Sequence, residues 1–189
     1  MTSHTKEYSE QFQHNGRYED LSKEALINLM NREWWKVMIQ VELEWHELVT
    51  EKMGLEVAKQ INPLTWVRIA PKAIKWLRQA TGITGDDVVS FARLLRYDIG
   101  FPHPLIEYHW EFKGPSYGIL NVDRCYGLES RATRDPDLAQ WMCHEYDPQA
   151  FAAYAAAVNP KMKTAPLKLP PQKPGEPACQ WEFKIEPKT

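Results

Sequence analysis

The apolar residues of this chain change their spacing near residue 100, and that change constrains the architecture more than any other feature. Upstream, Leu26, Leu29, Met30, Trp34, Val37, Met38, Val41, Trp45 and Leu48 recur at helical intervals. Downstream, Ile106, Tyr108, Trp110 and Phe112 alternate with Glu107, His109 and Glu111, the period of a half-buried strand. A chain that switches period once in this way is expected to be α+β, with helices first and a sheet after them.

The upstream pattern begins at Ser22, a residue suited to cap a helix, with Glu24 in the first turn, and it stops at Gly54. A helix of about 30 residues would be about 45 Å long, too long for one small core, so it is expected to pack on a partner helix or on a second copy. The next stretch, from Leu55 to Gly82, is helical in pattern, but Pro63 and Pro71 lack the N–H that an interior position needs and are expected to start, kink or split it. A third helix follows, with Thr84 or Asp86 as cap and Gly100 as stop. Residues 105–112 and 117–125 read as a hairpin. A helix in two pieces, broken at Asp147-Pro148 and ended at Asn159-Pro160, precedes a strand over 161–170, a proline-rich loop and a last strand over 178–186. The fold class predicted is therefore α+β: long helices over about 22–99, then a mostly antiparallel sheet with covering helices. The expected organisation is a flexible arm (1–20), a helical region (21–100) and a small-molecule-binding region (101–189) in one compact domain.

A net charge of −2 and a pI near 6.3 argue against nucleic acid as partner, because phosphate binding needs a concentrated basic surface. No apolar run is long enough to span a bilayer, so no membrane partner is expected. The polar N-terminus lacks the apolar core of a secretory signal, which points to the cytoplasm and to reduced thiols. Eight tryptophans suit a core and a homo-oligomer interface through the N-terminal helices, or an aromatic pocket for a small-molecule ligand.

Familiar signatures are missing. Gly82, Gly85 and Gly100 form no phosphate-binding loop, and there is no GxSxG elbow. Glu42 and His46 are one helical turn apart, but the run after His46 is HELVT, not the HExxH of zinc proteases. His103, between two prolines, reads as part of a rigid turn.

The second half carries an ordered set: Cys125 in VDRC, Cys143 and Asp147 in CHEYD, Asn159 in AVNP, and Cys179 in CQWEF. Over residues 100–186 this order resembles the L-2-amino-thiazoline-4-carboxylic acid hydrolase-like family, and more distantly the vinyl-reductase-type small-molecule-binding domains. The resemblance implies hydrolysis or a related lyase or isomerase reaction on a small polar or heterocyclic substrate. It places Cys125, Cys143, Asp147, Asn159 and Cys179 at motif positions. The pair His144-Glu145 and the tryptophan-rich helices depart from the family pattern.

Three readings of the cysteines stand side by side. Cys125 could be a nucleophile, with His109 reaching it across the hairpin, or with His144 oriented by Asp147 as base and Cys143 as a second thiol. Cys125, Cys143 and Cys179 could instead converge on Zn²⁺, although no CxxC spacing is present; no cofactor is required otherwise. They could also simply be buried, and Cys179, alternating with Trp181 and Phe183, suits that best. Glu107, Tyr108, Trp110 and Asn159 are the expected substrate contacts, in a pocket between sheet and helices. The other possibility is a non-catalytic ligand-binding domain.

Overall fold

The computed structural model describes residues 18–101, 105–133, 135–173 and 175–186. Most of the expected N-terminal arm, together with His103, lies outside the described residues. The protein is α+β, with N-terminal helices preceding a four-stranded antiparallel sheet. It divides into two compact units, one ending at Glu44 and the other beginning at Trp45.

In the first unit, helix α1 (Lys23–Asn28) opens as the sequence predicts: the Ser22 hydroxyl accepts the Ala25 N–H at 3.1 Å. A π turn over Leu29–Trp34 leads into α2 (Trp35–Met53). Val37 and Val41 are exposed.

In the second unit, Gly54 separates α2 from α3 (Leu55–Thr81) with φ 92°, and Gly82 ends α3 in the left-handed conformation at φ 71°. Pro63 and Pro71 neither start nor split α3, which runs through both. Each costs the helix one backbone hydrogen bond. Packing along α3 offsets that loss: Pro63 is itself fully buried, and α3 lies against α7. Helix α4 (Val88–Leu95) is capped by Asp87, whose carboxylate accepts the Ser90 N–H at 2.7 Å, rather than by Thr84 or Asp86. It ends at Leu95, before Gly100, and buries Val88, Phe91, Leu94 and Leu95.

Strands β1 (Ile106–Phe112) and β2 (Tyr117–Cys125) form the expected hairpin. Short helices α5 (Tyr126–Ala132) and α6 (Pro136–Trp141) follow. A π turn over Met142–Tyr146 then leads into α7 (Asp147–Val158). Pro148 is the second residue of α7, directly after the π turn. Strands β3 (Met162–Lys168) and β4 (Cys179–Ile185) complete the sheet in the order β1-β2-β4-β3. Pro166 is tolerated because β3 is an edge strand with an irregular register beside it.

One sheet face is the core. Leu120, Val122, Trp181, Phe183 and Met162 pack there with Phe91 and Leu94 of α4, Ile74 of α3, and Ala155 and Val158 of α7. Because α3 and α4 share this core with the sheet, the boundary between units falls at Glu44/Trp45 and not near residue 100. Among the described residues, no helix is long and apolar enough to cross a membrane.

Candidate functional site

Strand alternation sorts the candidate residues onto two faces of the sheet. Tyr108 and Trp110 point into the core layer; Glu107, His109 and Glu111 point the other way.

On the core side, the end of β2, the start of β4 and the first turn of α7 bring Cys125, Cys179 and Asp147 together. Burial pushes the Cys179 thiol up to about 12. The Trp181 indole N–H, donating to its sulfur at 3.2 Å, works against that shift, and negative charge on Asp147 and Cys125 adds to it. Cys179 is thus a neutral, packed thiol, as its place on the strand predicts. Cys125 is half-buried, and its sulfur accepts the Leu128 N–H at 3.4 Å. Cys143 lies in the π turn, four residues before Asp147, and is half-buried. None of the three forms a disulfide. The His144 ring donates from Nε2 to the Pro170 carbonyl at 2.7 Å, which ties it to the loop after β3. Burial also pushes the Tyr108 phenol up to about 12, against the opposing charge of Arg96. Trp110 stacks on Phe112 with ring centroids 5.6 Å apart, and its indole nitrogen is buried with no hydrogen-bond partner among the described residues. Asn159 closes α7: its amide donates to the Asp86 carbonyl at 3.0 Å and its oxygen accepts the Lys161 N–H at 2.9 Å, a structural turn away from the thiols.

The expectation that the hairpin brings His109 to Cys125 is corrected by the register. His109 lies opposite Asn121, and Cys125 lies opposite Ile106. A bulge between them leaves Asp123 as the extra residue of β2. Asp123 and Arg124 therefore both lie on the outer face with His109 and Glu107, and Cys125 joins Ile106 against the core.

The outer face holds the most ordered set of polar side chains. His109 Nδ1 and Asp123 Oδ2 are 2.7 Å apart, and the ring's Nε2 is 3.8 Å from Glu111 Oε1. Both side chains of the dyad are about half exposed, at 54% and 49%. Beneath them Asn121 is only 3% exposed; it donates to Glu111 at 3.0 Å and accepts from Gln180 at 2.6 Å. At the edge, Arg124 forks onto Glu129 at 2.8 and 3.0 Å and lies 4.0 Å over the Tyr126 ring, whose hydroxyl donates to Glu107. The Arg124 hydrogen bond holds the Glu129 carboxyl below its ordinary range. A carboxylate can only accept, so the His109 Nδ1–H donates to Asp123, and Nε2 is the ring nitrogen turned away from it.

Sequence reasoning found His109, Glu107 and Glu111 but missed Asp123, Asn121 and Gln180. Asn121 had one signal, a polar residue between Leu120 and Val122; the role of Asp123 depends on a bulge that nothing local announces. Among the described residues, no three His, Cys, Asp or Glu side chains are gathered so as to hold a metal ion. Comparison with known protein families, with curated proteins and with solved structures finds no match.

Proposed function

We propose that this protein is a small-molecule hydrolase whose acid–base centre is the His109–Asp123 dyad on the outer face of the sheet. The observation that carries the reading is the 2.7 Å contact that orients a half-exposed imidazole. His109 Nε2 removes a proton from a water molecule as the water oxygen attacks an electrophilic carbon of the substrate. Asp123 stabilises the imidazolium that forms. The same proton then passes from Nε2 to the leaving group as its bond to carbon breaks. Glu107 and Glu111 border the dyad and favour a small polar substrate.

The test is turnover of 4-nitrophenyl acetate and a panel of small cyclic amides and thiazolines. His109→Gln and Asp123→Asn each lower kcat by about 10²–10⁴-fold, while Cys125→Ser leaves it unchanged. Full activity in His109→Gln, or its loss in Cys125→Ser alone, overturns the assignment.

A second reading rests on the packing of Cys125 and Cys179 against the core. In it the core-side cysteines pack beneath a non-catalytic ligand-binding surface. That reading requires saturable ligand binding that survives His109→Gln with no turnover in any variant; equilibrium dialysis with the same panel decides it.

A further inference from the structure

Asn121 occupies an unusual place. It is a polar side chain at the centre of an otherwise half-open sheet face, yet it is 3% exposed. Burying an amide is unfavourable unless its hydrogen bonds are made inside the protein, and here they are: its oxygen accepts from Gln180 Nε2 at 2.6 Å and its nitrogen donates to Glu111 Oε1 at 3.0 Å. Asn121 is also the residue directly opposite His109 in the β1–β2 register, and Gln180 is directly opposite Asn121 in the β2–β4 register. Three adjacent strands therefore contribute one residue each to a line of side chains. That line ends on a carboxylate 3.8 Å from His109 Nε2, the nitrogen that faces away from Asp123.

We propose that Asn121 and Gln180 are positioning residues: a buried amide relay that holds the Glu111 carboxylate against the outward nitrogen of His109. This rests on the reading of His109–Asp123 as the acid–base centre. A glutamate on an edge strand, 64% exposed, would otherwise sample many rotamers. The amide N–H of Asn121 restricts it to those in which one oxygen lies beside Nε2. Gln180 in turn fixes the amide, because its donated hydrogen bond makes the Asn121 oxygen face β4 and its nitrogen face β1. Glu111 then stands where its charge can stabilise the imidazolium, and a substrate N–H or a water molecule can be aligned between the two groups. The imidazole is thus addressed on both nitrogens, by Asp123 through the bulge of β2 and by Glu111 through the relay.

The test is the ring ¹⁵N and Hε1 spectrum of His109 in histidine-labelled protein, assigned by the signal lost in His109→Gln. Wild type shows the proton on Nδ1. Asn121→Leu moves the Nε2 and Hε1 resonances and leaves the Nδ1 proton in place. In a Glu111→Ala background the same Asn121→Leu substitution moves them far less, because Asn121 acts through Glu111. Gln180→Met repeats the cycle from the other end of the relay, and serves if Asn121→Leu fails to fold. Equal shifts with and without Glu111 overturn the relay and leave the dyad standing. A wild-type ring whose proton sits on Nε2 and not on Nδ1 overturns the dyad itself, and the relay with it.

Discussion

Thr164 offers a prediction whose size can be worked out from the structure. It lies in β3 opposite Phe183, against the core, and its hydroxyl oxygen is buried with no hydrogen-bond partner among the described residues. Replacing it with valine keeps the branched shape that a strand favours and exchanges the hydroxyl for a methyl group. Relief of an unpaired buried polar group is worth about 1–3 kcal/mol. The added methyl contributes up to about 0.8 kcal/mol if the site accepts it. Any crowding against neighbouring side chains subtracts from this. The net expectation for Thr164→Val is a gain of about 1–2 kcal/mol, or very roughly 2–8 °C in Tm for a chain of this size. Urea unfolding followed by tryptophan fluorescence measures it: the midpoint rises while the m-value stays the same. Thr164→Ser is the control. It keeps the hydroxyl, loses the methyl, and should destabilise by about 1 kcal/mol. A valine variant no more stable than wild type, at equal m-value, would show that the hydroxyl is satisfied in solution and refute the reasoning.

Two further outcomes follow from buried titratable groups. Asp98 accepts the Gly100 N–H at 2.7 Å, and burial raises its carboxyl above the ordinary 3.8, against hydrogen bonds from Gly100 and Tyr154 that lower it. The folded protein therefore binds this proton more tightly than the unfolded chain does. The stability this confers is complete below the unfolded value and is lost as pH rises through the raised folded value. Asp98→Asn removes the titration, so the variant should gain on wild type as pH climbs from about 4 towards 7; paired urea titrations at several pH values check this, and a difference that does not change with pH contradicts it. Cys179, pushed up to about 12, should resist iodoacetamide at pH near 8 until the protein is unfolded. Peptide mass spectrometry reads the modification, and labelling of the folded protein at the rate of free cysteine would show that the thiol is not held as described.

The switch in apolar period was legible because it comes from burial of one side of each element, and that follows residue spacing directly. Hence α1, α2, β1, β2 and β4 stand close to where the pattern places them, and Ser22 caps as its chemistry suggests. Pro63 and Pro71 do not start or split α3, because local preference within a helix yields to packing along a 27-residue element. The π turns at Leu29–Trp34 and Met142–Tyr146 have no spacing signature. At the candidate site, His109, Glu107 and Glu111 could be read from alternation alone. Their partners could not, since Asp123 and Asn121 meet β1 through register, and register at β2 turns on one extra residue. Cys125 was visible as a thiol, but which side of the sheet it would face was not.

That extra residue makes β2 two strands in one. Before Asp123 the even-numbered side chains belong to the core; at Cys125 an odd-numbered one does. Removing Asp123 would let Arg124 and Cys125 keep their pairing with Glu107 and Ile106 without a bulge, so the cysteine would stay against the core beside Leu120 and Val122 while His109 lost its carboxylate partner. The histidine surface and the thiol layer are therefore separable by the smallest possible change in chain length, and an insertion or deletion at this point would rewire one without unpacking the other.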